Sequence, residues 1–424
     1  MKFICTTCNI YVYDEDKGDL NINVKPGTSF NDIPDYFRCP ICNAKKKLFK
    51  KILKENDKKT LQKNNKYISK NKIKDEKVTY NQIRNNAREQ LQRICAVNRV
   101  CDGNPDRLCM GQSYGSSIGL GGVGKGLSFT ENIKSLDKIK LKTRLISKHF
   151  EPDFSTNFLD YKISVPVMTS SLSGVRICMG GSISEMDFAV AVLQGAKNAG
   201  SIGWIGNTCD EGQELTGIEA VKKIGYGIPI FKPQKNNRLF ELIKLAEKSD
   251  SLAVGVDIDG VGSTNWELNK KPVFRKSFNE LIELVDSTDL PFIVKGIMCI
   301  DDAVLAVDAG VRVIDVSNHG GRALDSTRGV ADLLPEIVKA VDKKVVVTAG
   351  GGVRTGFDVM KMLALGADAV LVGRDIIRSA IGGGSEGVRL FFEYLKSDLR
   401  RGMIQTSCNN IKEINKKIID NQLK

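Results

Sequence analysis

Residues 343–374 read KKVVVTAGGGVRTGFDVMKMLALGADAVLVGR. A continuous apolar run at 344–351 meets a glycine turn. Residues 355–365 then carry apolar side chains at helical spacing, and a second apolar run follows at 368–374. Runs that are apolar on both faces belong to buried parallel strands, and the segment between them is a crossover helix. Working outward from this unit, the alternation recurs. Apolar β-rich runs lie at 163–170 (ISVPVMTS), 201–206 (SIGWIG), 227–233 (GIPIFKP), 252–259 (LAVGVDID), 291–297 (PFIVKGI) and 311–318 (VRVIDVSN). Helix-period segments at 184–199, 214–224, 236–249, 301–309 and 331–342 separate them. Eight such strands over about 250 residues predict an α/β fold, a (β/α)8 TIM barrel. A doubly wound open sheet is the alternative, because periodicity does not report closure.

The 424 residues carry 63 Lys+Arg against 50 Asp+Glu, a formal charge of +13. Such an excess suggests nucleic acid until it is located. Residues 1–44 hold 4 basic and 6 acidic side chains, residues 45–88 hold 16 and 4, and residues 89–424 hold 43 and 40. The excess is therefore one stretch, Lys45 to Arg88, Lys/Asn-rich and without Gly or Pro. It reads as a solvated linker. The competing reading is a short basic helix over 45–63 lined by Phe49, Ile52 and Leu53. No apolar run reaches about 18 residues, and MKFICTTC has no apolar signal region. The expected organisation is a small metal domain at 1–50, a basic linker at 51–90, a Gly/Cys-containing connection at 91–142 and the barrel at 143–424. The expected setting is cytoplasmic. The expected partners are a small-molecule substrate, a redox partner protein and further copies of the chain as a homo-oligomer, with neither nucleic acid nor membrane.

A barrel places its functional groups at the C-terminal ends of the strands. The polar residues there are Ser170, Ser171, Asn207, Lys232, Asp257, Asp259, Lys295, His319, the Gly350–Gly352 turn and Arg374. A purely structural barrel has little reason to crowd Lys, Asp and His at those positions.

At the other end of the chain, Cys5-x2-Cys8 and Cys39-x2-Cys42 form two thiolate pairs. Two such pairs bring four thiolates to one tetrahedral metal, and a reducing compartment disfavours disulfides. Residues 1–50 resemble rubredoxin, the small one-iron electron-transfer family. The resemblance rests on the paired cysteines, Tyr11, Tyr13, Asp14, Pro26-Gly27-Thr28 and the run from Asp35 to Cys42. Asn9 and Asn43 stand where a glycine usually follows each second cysteine, and Phe37 where a Trp is usual. One extra residue follows the first pair, around Asn9–Ile10. A tetrathiolate set fits Zn or Fe, and the resemblance favours one Fe.

His319 ends the sixth strand in SNHGGRALD, with Arg322 three residues on past two glycines. A histidine that takes a proton and an arginine that holds a carboxylate are what oxidation of an α-hydroxy acid requires. The glycines would let a substrate approach the backbone. With PFIVKGI, LLPEIVKAV, GGVRTGFDVMKMLALGADAVLVGRD and GGGSEGV, this stretch resembles the FMN-dependent α-hydroxy-acid oxidase/dehydrogenase family. The resemblance implies an FMN barrel. It gives His319 the role of base, Arg322 the carboxylate, and Asp257 the pairing with the base. It sets Lys295 beside the flavin N1/O2 edge, and Gly351, Gly352, Arg354, Gly373 and Arg374 around the phosphate. Ser170 and Ser171 fall where a loop lines the flavin. Some positions depart from the family. Ser263 and Thr264 stand where a second carboxylate-binding arginine is expected. Pro233 or Gln234 stands in place of an active-site tyrosine, and Gly350 in place of an Asp. Residues 181–208 are also similar to the FMN domain of glutamate synthase, and 256–266 to type-2 isopentenyl-diphosphate isomerase, so a reductase or an isomerase on the same barrel is the alternative.

Two further signals stay open. GLGGVGKG (119–126) satisfies G-x-G-x-x-G but follows no strand, so it reads as a glycine-rich connection or lid against a nucleotide loop. Cys95, Cys101 and Cys109 match no standard metal spacing and read as reduced bystanders, with a partial metal centre as the other reading.

Overall fold

The computed structural model describes residues 1–5, 12–18, 24–35, 37, 45–52, 78–91 and 119–420. The chain divides into two units, Met1–Lys77 and Val78–Lys424.

The first unit is built on an antiparallel sheet of β1 (Lys2–Cys5), β2 (Val12–Asp14) and β3 (Phe49–Ile52), in the order β2-β1-β3. Tyr13, Phe30, Ile33, Phe37 and Phe49 form its core. Phe37 meets Phe30 edge-on at 6.2 Å, a favoured aromatic geometry. The Glu15 carboxylate accepts from the Phe30 amide at 2.8 Å and pairs with the chain's N-terminal ammonium at 3.0 Å. The helix considered over 45–63 is corrected here: Phe49–Ile52 pairs in register with β1, and Phe49 is a core residue.

The second unit holds an eight-stranded all-parallel sheet: β6 (Val167–Thr169), β7 (Trp204–Gly206), β8 (Ile228–Phe231), β9 (Val254–Asp257), β10 (Phe292–Ile297), β11 (Val313–Val316), β12 (Val346–Ala349) and β13 (Ala369–Val372). Its order is β6-β13-β12-β11-β10-β9-β8-β7. The two ends meet. Leu172 and Ile205 form a parallel bridge, Thr169 Oγ1 both donates to the Trp204 carbonyl and accepts from its amide, and Ser201 Oγ donates to the Val167 carbonyl. This closure makes the sheet a barrel and removes the open-sheet alternative. A hairpin of β4 (Thr156–Phe158) and β5 (Tyr161–Ile163) precedes β6, and its Phe158 and Ile163 pack into the inner cluster with Met168, Trp204, Ile230, Ile293, Val313 and Leu371.

Strand period then sets the site. Side chains alternate faces, so the residue two positions after an inward apolar one also points inward. Ile230, Gly255, Ile293, Val313 and Val346 are thus followed by Lys232, Asp257, Lys295, Asp315 and Thr348. The register puts Asp257, Lys295, Asp315 and Thr348 side by side across adjacent strands.

The helices at Glu185–Asn198, Thr216–Ile224, Asn236–Glu247, Ile300–Asp308, Val330–Val341 and Gly356–Ala364 follow the sequence pattern closely. The helix Tyr80–Leu91 overlaps the end of the basic stretch and belongs to the barrel unit. It buries Ile83, Ala87 and Leu91 and approaches the kinked helix Arg374–Thr406 so closely that a Cβ at Gly382 would sit 2.2 Å from the Ile83 carbonyl oxygen. Among the described residues no helix is long and apolar enough to cross a membrane.

Candidate active site

A cavity of about 460 Å³ opens at the C-terminal ends of the strands. Ser170, Ser171, Lys232, Asp257, Asp259, Lys295, His319, Arg322, Gly351, Gly352, Arg354, Gly373 and Arg374 all line it. Every barrel residue expected to serve the reaction or the cofactor is therefore brought to one place. The cysteine ligands expected for a metal are a different matter. The Cys5 side chain, Cys8, Cys39 and Cys42 lie outside the described residues, as do Cys95, Cys101 and Cys109.

At the centre is an acid–base cluster. Asp257, at the end of β9, accepts from Lys295 Nζ at 3.0 Å through Oδ1 and from Lys232 Nζ through Oδ2. His319 Nδ1 lies 3.4 Å from Asp257 Oδ2, but its nearer partner is Asp259 Oδ1 at 2.9 Å. His319 Nε2 stands 3.5 Å from Lys232 Nζ. Burial works against the Asp257 carboxylate, yet His319, Lys232 and Lys295 hold it well below the usual carboxylate range. The neighbouring Asp259 is pushed up by burial and by the charge of Asp257. Lys295 is fully buried, and the carboxylates of Asp257, Asp259 and Asp315 together outweigh that burial and raise it. The nearest ligand atoms of Asp257, Asp259 and His319 gather within 4.8 Å, as in a metal nest. Two ammonium groups on Asp257 oppose a cation there, so the chemistry is acid–base.

The loop after β11 carries the histidine. His319 has φ 57°, followed by Gly320 at 64° and Gly321 at 77°, a left-handed run that only small or polar residues adopt readily. A Cβ at Gly320 would meet Arg374 Nη1 at 2.5 Å, and one at Gly321 the Phe129 amide nitrogen at 2.4 Å. The glycines thus admit the Arg374 guanidinium and the helix Leu127–Lys138, where substrate was expected to approach. Arg322 donates to the Gly119 carbonyl and, at 3.5 Å, to Cys178 Sγ. Arg374 donates to the carbonyls of Leu120, Gly121 and Gly320 and stacks on Phe129 at 4.4 Å.

GLGGVGKG is accordingly a covering segment. Val123 N donates to the Gly321 carbonyl at 2.9 Å, and the Asp325 carboxylate accepts from the amides of Lys125, Leu127 and Ser128 at 2.6, 2.8 and 3.2 Å.

The cavity also suits an anionic flavin nucleotide. The helix Arg374–Thr406 starts at the wall with Gly373 as its N-cap and no side-chain cap, leaving first-turn amides for a phosphate. Beside Gly373 a Cβ would find nothing nearer than 3.8 Å. Lys295 brings a cation to the same cavity, where a reduced, anionic ring would need one.

Comparison with known proteins agrees. The family model described as FMN-dependent dehydrogenase matches residues 118–278 and 266–421. The chain belongs to the FMN-dependent dehydrogenase family. Among relatives, 2-hydroxyacid oxidase 1 of Mus musculus is 31% identical over 336 residues, covering 69% of this chain and 88% of that protein. Glycolate oxidase of Spinacia oleracea is 27% identical, covering 68% and 86%. A crystal structure of mandelate oxidase with (S)-2-phenylpropionate superposes with a TM-score of 0.63 at 25% identity, covering 81% of this chain and 98% of that one. The rubredoxin model matches residues 2–49, so a rubredoxin domain precedes the barrel. The protein is thus an FMN-dependent α-hydroxy-acid oxidoreductase of this family.

Sequence reasoning named Lys232 and Asp259 as strand-end residues without giving them a role, and it passed over Asp315. The signal was present in the two-residue step for Lys232, after Ile230, and for Asp315, after Val313; Asp259 lies past the strand in a 3-10 turn, where that step no longer applies.

Proposed function

We propose that the barrel oxidises a small 2-hydroxy acid to the 2-oxo acid and that the rubredoxin domain exchanges the electrons through one four-cysteine iron site. In this reading His319 Nε2 accepts the hydroxyl proton and Arg322 grips the carboxylate. Ser170, Ser171, Lys295, Gly351, Gly352, Arg354, Gly373 and Arg374 hold FMN, which when bound accepts the electron pair from C2. Asp259 keeps the Nδ1 proton on the far side of the ring, leaving Nε2 as the basic nitrogen. Asp257 and Asp259 both favour the imidazolium that forms.

The observation that carries the reading is the His319 ring. It is held at Nδ1 by Asp259 at 2.9 Å, while His319, Arg322 and Lys295 line one cavity. The iron assignment rests on the rubredoxin match and on Cys5, Cys8, Cys39 and Cys42. Fusing a one-electron carrier to a two-electron centre raises their effective concentration. The test is anaerobic mixing of the loaded protein with glycolate, lactate and mandelate, followed at flavin and iron wavelengths together. Bleaching of the flavin followed by the iron supports the reading. If no acid bleaches the flavin while chemically reduced rubredoxin does, the oxidase reading fails.

A further inference from the structure

Lys232 stands out as a charged group for which proton transfer by His319 has no use. It directly follows β8, its side chain is 13% exposed, and it lines the cavity. Its backbone amide is pinned to Asn207 Oδ1 at 2.8 Å, and its stem passes so close to Gly260 that a Cβ there would lie 2.6 Å from Lys232 Cδ. The ammonium is therefore aimed, bonded to Asp257 on one side and 3.5 Å from His319 Nε2 on the other. An oxygen that approaches His319 Nε2 therefore also meets a cation. A negatively charged or strongly polarised oxygen can sit at hydrogen-bond distance from both nitrogens, at the apex of a triangle whose base is that 3.5 Å.

We propose that Lys232 is a substrate-contacting specificity residue whose ammonium grips the α-oxygen and the nearer carboxylate oxygen of a 2-hydroxy acid. This rests on the proposed function above. A hydroxyl that gives its proton to Nε2 must lie about 2.8 Å from it, which brings it within reach of Lys232 Nζ. In an α-hydroxy carboxylate the two oxygens on adjacent carbons face the same side, so one ammonium meets both. The contact strengthens as the hydroxyl loses its proton, so it favours the reacting form over the resting one. Ligands with a carboxylate but no α-oxygen lose the two-oxygen contact and keep only the single carboxylate contact to Lys232 beside Arg322.

The test uses FMN-loaded full-length protein and two non-reacting ligands, oxalate (oxygens on both carbons) and propionate (no α-oxygen), titrated by flavin difference absorbance. Lys232→Met is expected to weaken oxalate about 10–100-fold and propionate less than about threefold, with Lys232→Arg recovering most of the loss. Should Lys232→Met shed its flavin, Lys232→Gln, which keeps the hydrogen bonds and removes the charge, should show the same loss of discrimination. Equal weakening of both ligands, or of neither, overturns the proposal and leaves the oxidase reading standing. If the unmodified protein ignores oxalate and its flavin is bleached by no 2-hydroxy acid, the oxidase reading falls and takes the role of Lys232 with it.

Discussion

Replacing Asp315 by Asn should change how the barrel's stability depends on pH. Asp315 is fully buried in the layer that also holds Lys295 and Thr348. Its Oδ1 accepts from Thr348 Oγ1 at 2.9 Å, while its Oδ2 is buried without a hydrogen-bond partner. Burial pushes the carboxyl up to about 6, Lys295 and Thr348 resist that rise, and Asp257 and Asp259 add to it. In an unfolded chain the same group titrates near 3.9. A rise of about two units corresponds to about 3 kcal/mol. The sign follows from the direction of the shift. The folded state prefers the protonated form, so this contribution is complete below about pH 4, declines as pH rises through about 6, and is gone by about pH 7. Asn keeps the bond to Thr348 and cannot titrate. Relative to the unmodified protein, Asp315→Asn should therefore gain up to about 3 kcal/mol between pH 4 and pH 7. Both tryptophans, Trp204 and Trp266, are buried in the barrel unit, so urea unfolding followed by tryptophan fluorescence reports that unit. If the stability difference between the two proteins is the same at pH 4.5, 5.5, 6.5 and 7.5, the raised carboxyl is refuted.

Other changes bear on the site and its cover. His319→Ala should lower the rate of flavin reduction by a 2-hydroxy acid about 10²–10⁴-fold with flavin content unchanged; a smaller loss in stopped-flow would remove it as the base. Asp325→Ala strips the acceptor from one amide of the covering segment and from two that open the helix after it. It should cost about 1–2 kcal/mol and speed proteolysis near residue 125, and an unchanged cleavage pattern would contradict that. Cys42→Ser should abolish the visible iron absorbance and internal electron exchange while single-turnover bleaching of the flavin survives. Iron retained at full stoichiometry would exclude Cys42 as a ligand.

Much of the barrel is legible in the sequence. Runs such as VRVIDVSN and KKVVVTAGG are apolar on both faces because helices cover one side and the barrel interior the other. That double burial left its mark in composition. Closure left none, since it rests on two hydroxyls, Thr169 on β6 and Ser201 just before β7, and on a backbone bond from Gly206 to Leu172. The pairing of His319 with Asp259 was equally silent, because the two meet across 60 positions of chain through strand register and a left-handed turn. The strand Phe49–Ile52 was obscured by its lysines, which mask an edge strand's pattern in the same way that they suggest a solvated helix. The helix Tyr80–Leu91 was hidden by the surrounding charge, although Ile83, Ala87 and Leu91 fall at i, i+4 and i+8 on one buried face.

The seam between β6 and β7 has a consequence of its own. Elsewhere around the ring, neighbouring strands are joined by successive backbone bonds, so the loss of any one side chain leaves the joint intact. Here the Trp204 peptide unit is matched by one threonine hydroxyl, at 2.7 Å to its amide and 3.0 Å to its carbonyl. At this clasp one backbone bond, Gly206 N to the Leu172 carbonyl at 3.0 Å, stands beside the hydroxyls, so a change of one oxygen to one methyl weakens this joint more than it would any other. Thr169→Val keeps the shape and leaves two buried peptide groups unmatched, at about 1–3 kcal/mol each. Amide exchange in β7 should quicken first in that variant, and the seam is where the circle would begin to open under load.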